Sequence, residues 1–223
     1  MIVLVGPSGS GKTTLAHALL QRRPDQCVFS VSHSTRPQRS GEVDGVDYHF
    51  VSRSGFQDME RQGDFIESAE VHGNLYGTAH AEVGGHLEAG RDVVFDVDIV
   101  GAHNLYASYP GRTLLIFVVP PSWQGLVDRL QARGSETEDT LRRRLSTARG
   151  ELQSVADSDA PWQVLVNDQL NVATTSLIAL IASTEEPAQM ARADARLETM
   201  LASAKADPRA IILSIEGEAG RPA

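Results

Sequence analysis

Several things are scarce in this 223-residue chain, and each scarcity excludes something. Cysteine occurs once, at Cys27, so no disulfide can close within the chain. Its apolar neighbours favour reading it as a small strand residue. Lysine is nearly missing too: Lys12 is the only one before position 205, and arginine supplies every other cation in that span. No apolar run approaches the about 20 residues that a membrane-spanning helix needs. Positive charge is in deficit, and a formal net charge of −9 argues against a nucleic-acid surface or an anionic membrane as the main partner. An anionic ligand would therefore need local arginine clusters. The seven histidines lack metal-ligand spacing and read as structural or surface residues. No internal repeat or low-complexity tract interrupts an otherwise ordinary composition of 41% hydrophobic and 22% charged residues.

What is present begins at residue 6. Gly6-Pro7-Ser8-Gly9-Ser10-Gly11-Lys12-Thr13 is a full match to the phosphate-loop pattern G-x-x-x-x-G-K-[ST]. Before it, Ile2-Val3-Leu4-Val5 suits a buried parallel strand. After it, Thr14 to Arg23 favours a helix with Leu15, Ala18 and Leu19 on one face. That strand–loop–helix context is what the motif requires. The glycines let backbone N–H groups converge on phosphate oxygens, and the helix start adds the positive end of its dipole. Lys12 is expected to reach the outer phosphates and the Thr13 hydroxyl to hold Mg²⁺, so Gly6 through Thr14 is assigned to nucleoside triphosphate binding. With the loop at residue 6, no leader is expected before it, and the expected location is cytoplasmic.

Along the chain, Cys27 to Val31 reads as a second strand, and Ser32 to Tyr48 is polar and turn-rich. Tyr48–Val51, Asp64–Val71 and Asn74–Tyr76 read as strands, with a short helix over Gly55–Gln62. This stretch is too poor in apolar residues to be the main core. It reads as a small β-rich lobe, residues 32–81, inserted into a nucleotide-binding core formed by 1–31 and 82–184. In the core, strands over Asp92–Asp98, Thr113–Val119 and Gln163–Val166 alternate with helices over Ala81–Ala89, Val100–Tyr106, Ser122–Ala132 and Leu170–Ser183. Alternation of this kind predicts an α/β fold with a doubly wound parallel sheet.

Over residues 1 to 184 the sequence resembles the guanylate kinase family. The blocks that carry the resemblance are the phosphate loop, Ser30-Val31-Ser32, Arg36…Arg39…Glu42…Gly45…Tyr48-x-Phe50, Phe65-Ile66-Glu67 and Tyr76-Gly77-Thr78. Then come Asp96-Val97-Asp98, Pro120-Pro121-Ser122, Arg129-Leu130-x-x-Arg133-Gly134 with Glu136-Thr137, and Val166-Asn167-Asp168. Two positions depart from the family pattern: Ser34 stands where threonine is usual, and Pro37 comes one residue early.

The resemblance implies a P-loop fold with a GMP-binding lobe and an arginine-rich lid over about 133–149. It also implies transfer of the γ-phosphoryl group of ATP to GMP, and to dGMP as well, with Mg²⁺. By the same resemblance Arg36 and Arg39 hold the GMP phosphate, as bidentate guanidinium forks do, and Tyr48 and Tyr76 add hydroxyl donors. Glu67 accepts from N1–H and the 2-amino group of guanine, an edge that adenine lacks; Ser32 and Thr78 donate to O6. Glu42 braces an arginine or the ribose. Asp96 and Asp98, at i and i+2 on one strand, share a face at its C-terminal end. Mg²⁺ support by Asp96, orientation of Arg36 and guanine readout by either carboxylate all remain open roles for the pair. Arg133 and Arg144 line the lid over ATP, Arg129 contacts the adenine or the phosphates, and Asn167 with Asp168 borders adenine. Arg142 and Arg143 read equally as phosphate contacts or as a solvated helix face.

Two other readings compete. One is a non-catalytic interaction module of the same family, and the intact loop, Lys12 and Thr13 oppose it. The other is a kinase of a different phosphorylated acceptor, which Glu67 with Ser32 and Thr78 opposes. The tail from Glu185 to Ala223 lies outside the resemblance. Between Pro187 and Asp207-Pro208, Met190, Ala193, Leu197, Met200 and Ala204 recur at three and four, an apolar seam for a helix packed on another. The uncharged run Ala210–Ile215 needs covering by its own core or by a second subunit. A packed helix that contributes to a homodimer contact is the expectation.

Overall fold

The chain runs β1 (Ile2–Val5), α1 (Lys12–Arg22), β2 (Cys27–Phe29), β3 (His33–Ser34), β4 (His49–Phe50), α2 (Arg53–Gln62), β5 (Phe65–Val71) and β6 (Asn74–Ala79). It continues α3 (His80–Glu88), β7 (Asp92–Asp96), α4 (Ile99–Ser108), β8 (Leu114–Val119), α5 (Trp123–Gln131), α6 (Glu138–Ala156), β9 (Gln163–Val166), α7 (Leu170–Ala182) and α8 (Ala191–Ala206). This computed structural model describes residues 1–39, 41–71, 73–132, 138–183, 191–207 and 209.

The strand β1 is the middle of a five-stranded sheet of order β2-β7-β1-β8-β9, and every pairing in it is parallel. All four of its residues are buried, which explains a continuous apolar run in place of an alternating one. Its side chains still alternate between layers. Ile2 and Leu4 pack with Leu15 and Leu19 of α1 and with Ala173 and Leu177 of α7. Val3 and Val5 pack on the other face with Leu105 of α4, Leu126 and Leu130 of α5, and Leu145 and Leu152 of α6. Helices therefore cover both faces of one parallel sheet, as the alternating sequence predicts.

A second sheet, β4-β3-β6-β5, holds the inserted segment together. It is built around Phe56 of α2, whose ring stacks on Phe65 at 4.4 Å between centroids. Gly77 lies under both rings: a Cβ there would stand 2.9 Å from Phe56 and 3.0 Å from Phe65. The strand β3 lies in the stretch whose sequence predicts only a polar loop. It is two residues long and exists through pairing with β4 and β6.

Two expectations need correction. The strand β7 stops at Asp96, so Asp98 does not share a strand face with it. Asp98 is instead the N-cap of α4 and accepts a hydrogen bond from the Gly101 amide at 2.7 Å. The seam in the tail is used within the chain. Leu197, Met200 and Ala204, with Leu201, are buried in the main core cluster beside α5 and α6. Asp207 then accepts from the Trp123 indole N–H at 2.8 Å and pairs with Arg209. Packing against the chain's own helices removes the reason for assigning this seam to a homodimer. Met190 and the run Ala210–Ile215 lie outside the described residues.

Candidate active site

The phosphate loop turns from β1 into α1 through three glycines with positive φ, Gly6 (144°), Gly9 (91°) and Gly11 (88°). Gly11 shows why no side chain fits: a Cβ would collide with the Asn167 amide nitrogen. That nitrogen donates to the carbonyls of Ser10 at 2.9 Å and Gly11 at 3.4 Å. Asn167, directly after β9, thus braces the loop from behind. Arg129 secures the same corner by donating to the Asn167 carbonyl at 2.9 Å.

Parallel pairing sets Leu4 of β1 beside Asp96 of β7 and so brings residue 96 to the loop. The Thr13 hydroxyl donates to Asp96 at 2.5 Å, and the Lys12 ammonium stands 4.0 Å from the same carboxylate. Lys12 also donates to the carbonyl of Gly6 at 2.5 Å. A hydroxyl and a carboxylate side by side are hard oxygen donors, suited to a small divalent cation that keeps most of its waters. Among the described residues no group of three or more His, Cys, Asp or Glu offers an all-protein cage. From α6, Arg144 reaches Ser8 of the loop at 3.4 Å. Pro7 and Ser10 are buried, whereas Ser8 and Thr14 are exposed. Arg142 turns instead to Glu138 on an exposed face at 2.7 Å, and Arg133 lies outside the described residues.

The inserted lobe presents two clusters. In the first, Arg36 is buried and forks onto both oxygens of Glu42 at 2.7 and 2.5 Å. The guanidinium lies over the rings of Tyr48 (4.8 Å) and Phe50 (5.4 Å). Tyr48 in turn meets Tyr76 edge-on at 6.0 Å. Glu42 also accepts from the Arg39 amide at 2.8 Å, which leaves that side chain on the exposed loop. Hydrogen bonds from Arg36 and the Arg39 amide hold the Glu42 carboxyl down at about 2, and the same pairing raises Arg36 above its ordinary value. Glu42 thus braces an arginine, one of the two roles open for it.

The second cluster centres on Glu67. The register of β5 against β6 slips between Phe65 and Glu67, a local irregularity that lets adjacent Ile66 and Glu67 both be buried. The Thr78 hydroxyl donates to Glu67 Oε1 at 2.8 Å, and Ser32 lies 3.5 Å from Thr78. Burial raises the Glu67 pKa, the Thr78 bond opposes that, and Asp98 adds to it. Glu67 Oε2 faces the first turn of α4: a methyl on Gly101 would stand 3.1 Å from it and 3.4 Å from Asp98. Asp98 therefore joins the Glu67 cluster, as a cap, and Asp96 joins the phosphate loop.

Sequence comparison settles the family. The sequence model of guanylate kinase matches residues 1–184. The chain belongs to the guanylate kinase family. A guanylate kinase of Chromobacterium violaceum is 43% identical over 179 residues, covering 80% of this chain and 83% of that one. One from Nitratidesulfovibrio vulgaris is 48% identical over 179 residues, 80% and 84% of the two chains. The crystal structure of guanylate kinase from Anaplasma phagocytophilum superposes with a TM-score of 0.65 at 28% identity, over 89% of this chain and 93% of that one. The α8 helix lies beyond the part that matches the guanylate kinase family. Within that part the sequence reading passes over Glu151, a half-buried carboxylate on α6 whose Oε2 atom is buried with no hydrogen-bond partner among the described residues. Its spacing of seven from Arg144 was the available signal.

Proposed function

We propose that this chain transfers the γ-phosphoryl group of ATP to GMP, with dGMP also accepted, and releases ADP and GDP. The observation that carries this is the pairing of a complete phosphate loop with a buried Glu67–Thr78 acceptor pair in one chain. The loop amides and the α1 dipole bind the ATP phosphates. Lys12 and Arg144 supply positive charge to the moving group, and Arg133 is assigned to the same lid, about residues 133–149. Arg129 and Asn167 keep the loop in shape from behind. Thr13 and Asp96 are the residues that hold Mg²⁺, which when bound neutralises charge on the phosphate oxygens.

On the acceptor side, Arg36 and Arg39 take the GMP phosphate with the Tyr48 and Tyr76 hydroxyls. Glu42 stays ionised down to about pH 2, so the Arg36 clamp does not titrate in the physiological range. A carboxylate oxygen carries two lone-pair sites, so the bond from Thr78 leaves Glu67 capacity for guanine N1–H and the 2-amino group. Ser32 serves O6 while the one Thr78 hydrogen stays on Glu67, and Asp98 keeps the first turn of α4 beside Glu67. Adenine would leave that buried charge unpaired.

The working division is a core of 1–31 and 82–184 and a lobe of 32–81 that closes on the bound pair to exclude water. We place the protein in the cytoplasm, with no nucleic acid or membrane among its partners. Among the described residues no helix is long and apolar enough to cross a membrane. A homodimer would have to form without the α8 seam, which is buried within the chain. Incubating the purified protein with ATP, MgCl₂ and GMP tests the function: GDP and ADP should appear one to one. ATP hydrolysis without GDP would overturn it.

A further inference from the structure

Glu151 is a charged group that the mechanism above leaves unused. It lies on α6 seven residues after Arg144, a spacing that returns to the same side of a helix. Arg144 touches Ser8 of the phosphate loop at 3.4 Å. Beside that line, Leu145, Ala148 and Leu152 are buried in the core, so α6 runs past the loop with a charged edge along its apolar seam. Just after the helix, Ser158 stands 3.5 Å from His103 of α4, the helix capped by Asp98. Along α6, Glu151 thus lies between the turn that meets the phosphate loop and the end that meets α4. The charges that face it are Lys12, which attracts it, and Asp98, which repels it.

Its Oε2 atom is buried and has no hydrogen-bond partner among the described residues. A buried carboxylate oxygen left in that state is destabilising, so the fold keeps it at a cost. Of the two charges that face it, Lys12 is the one that carries donors. An ammonium has three N–H bonds. In the described state Lys12 points one of them at the Gly6 carbonyl, 2.5 Å away, and rests 4.0 Å from Asp96. That is a contact with its own loop, and bound phosphates must draw the ammonium off it. We propose that Glu151 is a further positioning residue of the transfer site, whose inward oxygen takes a hydrogen bond from Lys12 once the nucleotide draws the ammonium away from Gly6. One N–H anchored on that inward oxygen leaves the other two fixed toward phosphate oxygens. The proposal rests on the phosphoryl-transfer reading above.

Three variants test it: Glu151→Gln, Glu151→Asp, and Glu151→Gln combined with Lys12→Ala. Each is read by single-turnover transfer from ATP to GMP, by calorimetric ATP affinity and by melting of the ligand-free chain. Glu151→Gln should lower the transfer rate about 10–100-fold, the loss expected of a misplaced group, with the KM for GMP within about 3-fold of the parent. It should also melt about 2–4 °C higher, because a buried charge is removed. Glu151→Asp should recover part of the rate, and Glu151→Gln should cost nothing further once Lys12 is alanine. An unchanged rate in Glu151→Gln, losses that multiply in the double variant, or a rate that falls only in step with stability would each overturn the role. A parent protein that makes no GDP would instead overturn the phosphoryl-transfer reading, so the two failures are distinguishable.

Discussion

The two ends of the proposed site are built in different ways. The ATP end is made largely of main chain: three glycines with positive φ, a helix start, and carbonyls tied down by Asn167. Most of its parts lie within a few residues of one another, while Asp96, Arg129, Arg144 and Asn167 arrive from afar. The GMP end is made of side chains from four separate segments, with Arg36 and Glu42 in a loop, Tyr48 beside β4, Glu67 on β5 and Thr78 on β6. Binding any triphosphate calls for a fixed cradle of amides, whereas choosing one base calls for individual donors and acceptors. The backbone at one end and the side chains at the other reflect those two tasks.

If the ATP end supplies rate and the GMP end supplies choice, substitutions at the two ends should fail differently. The largest effect belongs to Lys12→Ala, which should reduce kcat on the order of 10²–10³ by removing a preorganised charge from the moving phosphate. Selection among acceptors should survive, as measured by the GMP-to-AMP ratio of kcat/KM. Glu67→Gln should do the reverse. Its amide presents a donor where guanine needs an acceptor, so the GMP preference should shrink about 10–100-fold, the range expected for a mispaired buried group. Arg39→Ala should weaken GMP and AMP alike, because both carry the phosphate. Loss of selectivity in Arg39→Ala equal to that in Glu67→Gln would erase the distinction between phosphate holding and base reading.

Much of the ATP end was legible because its signal is local. The sequence shows the glycine loop directly, and the apolar run before it marks a strand buried on both faces. The GMP end was legible only through the family pattern, since nothing near Glu67 foretells the register slip that buries it beside Ile66. Two polar residues, His33 and Ser34, form β3 only because distant strands pair with them. Asp98 was misplaced because Asp-Val-Asp alternates like a strand, while the bond that defines it reaches forward to Gly101. An apolar stripe in the tail announces a packed helix, but spacing alone does not say whose surface covers it. Here α5 and α6 do.

The tail sharpens the comparison from outside both ends. Met200 is almost wholly buried against the core, so Met200→Ala should destabilise the chain by about 2–5 kcal/mol in chemical denaturation, with acceptor choice unchanged. Truncation after Glu186 should lower the melting temperature and leave the number of subunits seen by light scattering as it was. The smallest effect is at Asp207, whose carboxyl is held at about 2 by Arg209 and the Trp123 indole. A depressed carboxylate adds stability above its unfolded value of about 3.9 and loses it as pH falls through the folded one. Asp207→Asn should therefore melt lower than the parent at pH 7, and the gap should close between about pH 4 and pH 2.

Acceptor profiling tests the central claim most directly: kcat/KM for GMP, AMP, CMP and UMP with ATP and MgCl₂, on the same preparation. Glu67 paired with Thr78 beside a complete phosphate loop predicts GMP ahead of every other acceptor by at least about 100-fold, the scale set by leaving a buried polar group unpaired. AMP phosphorylated as efficiently as GMP would contradict it.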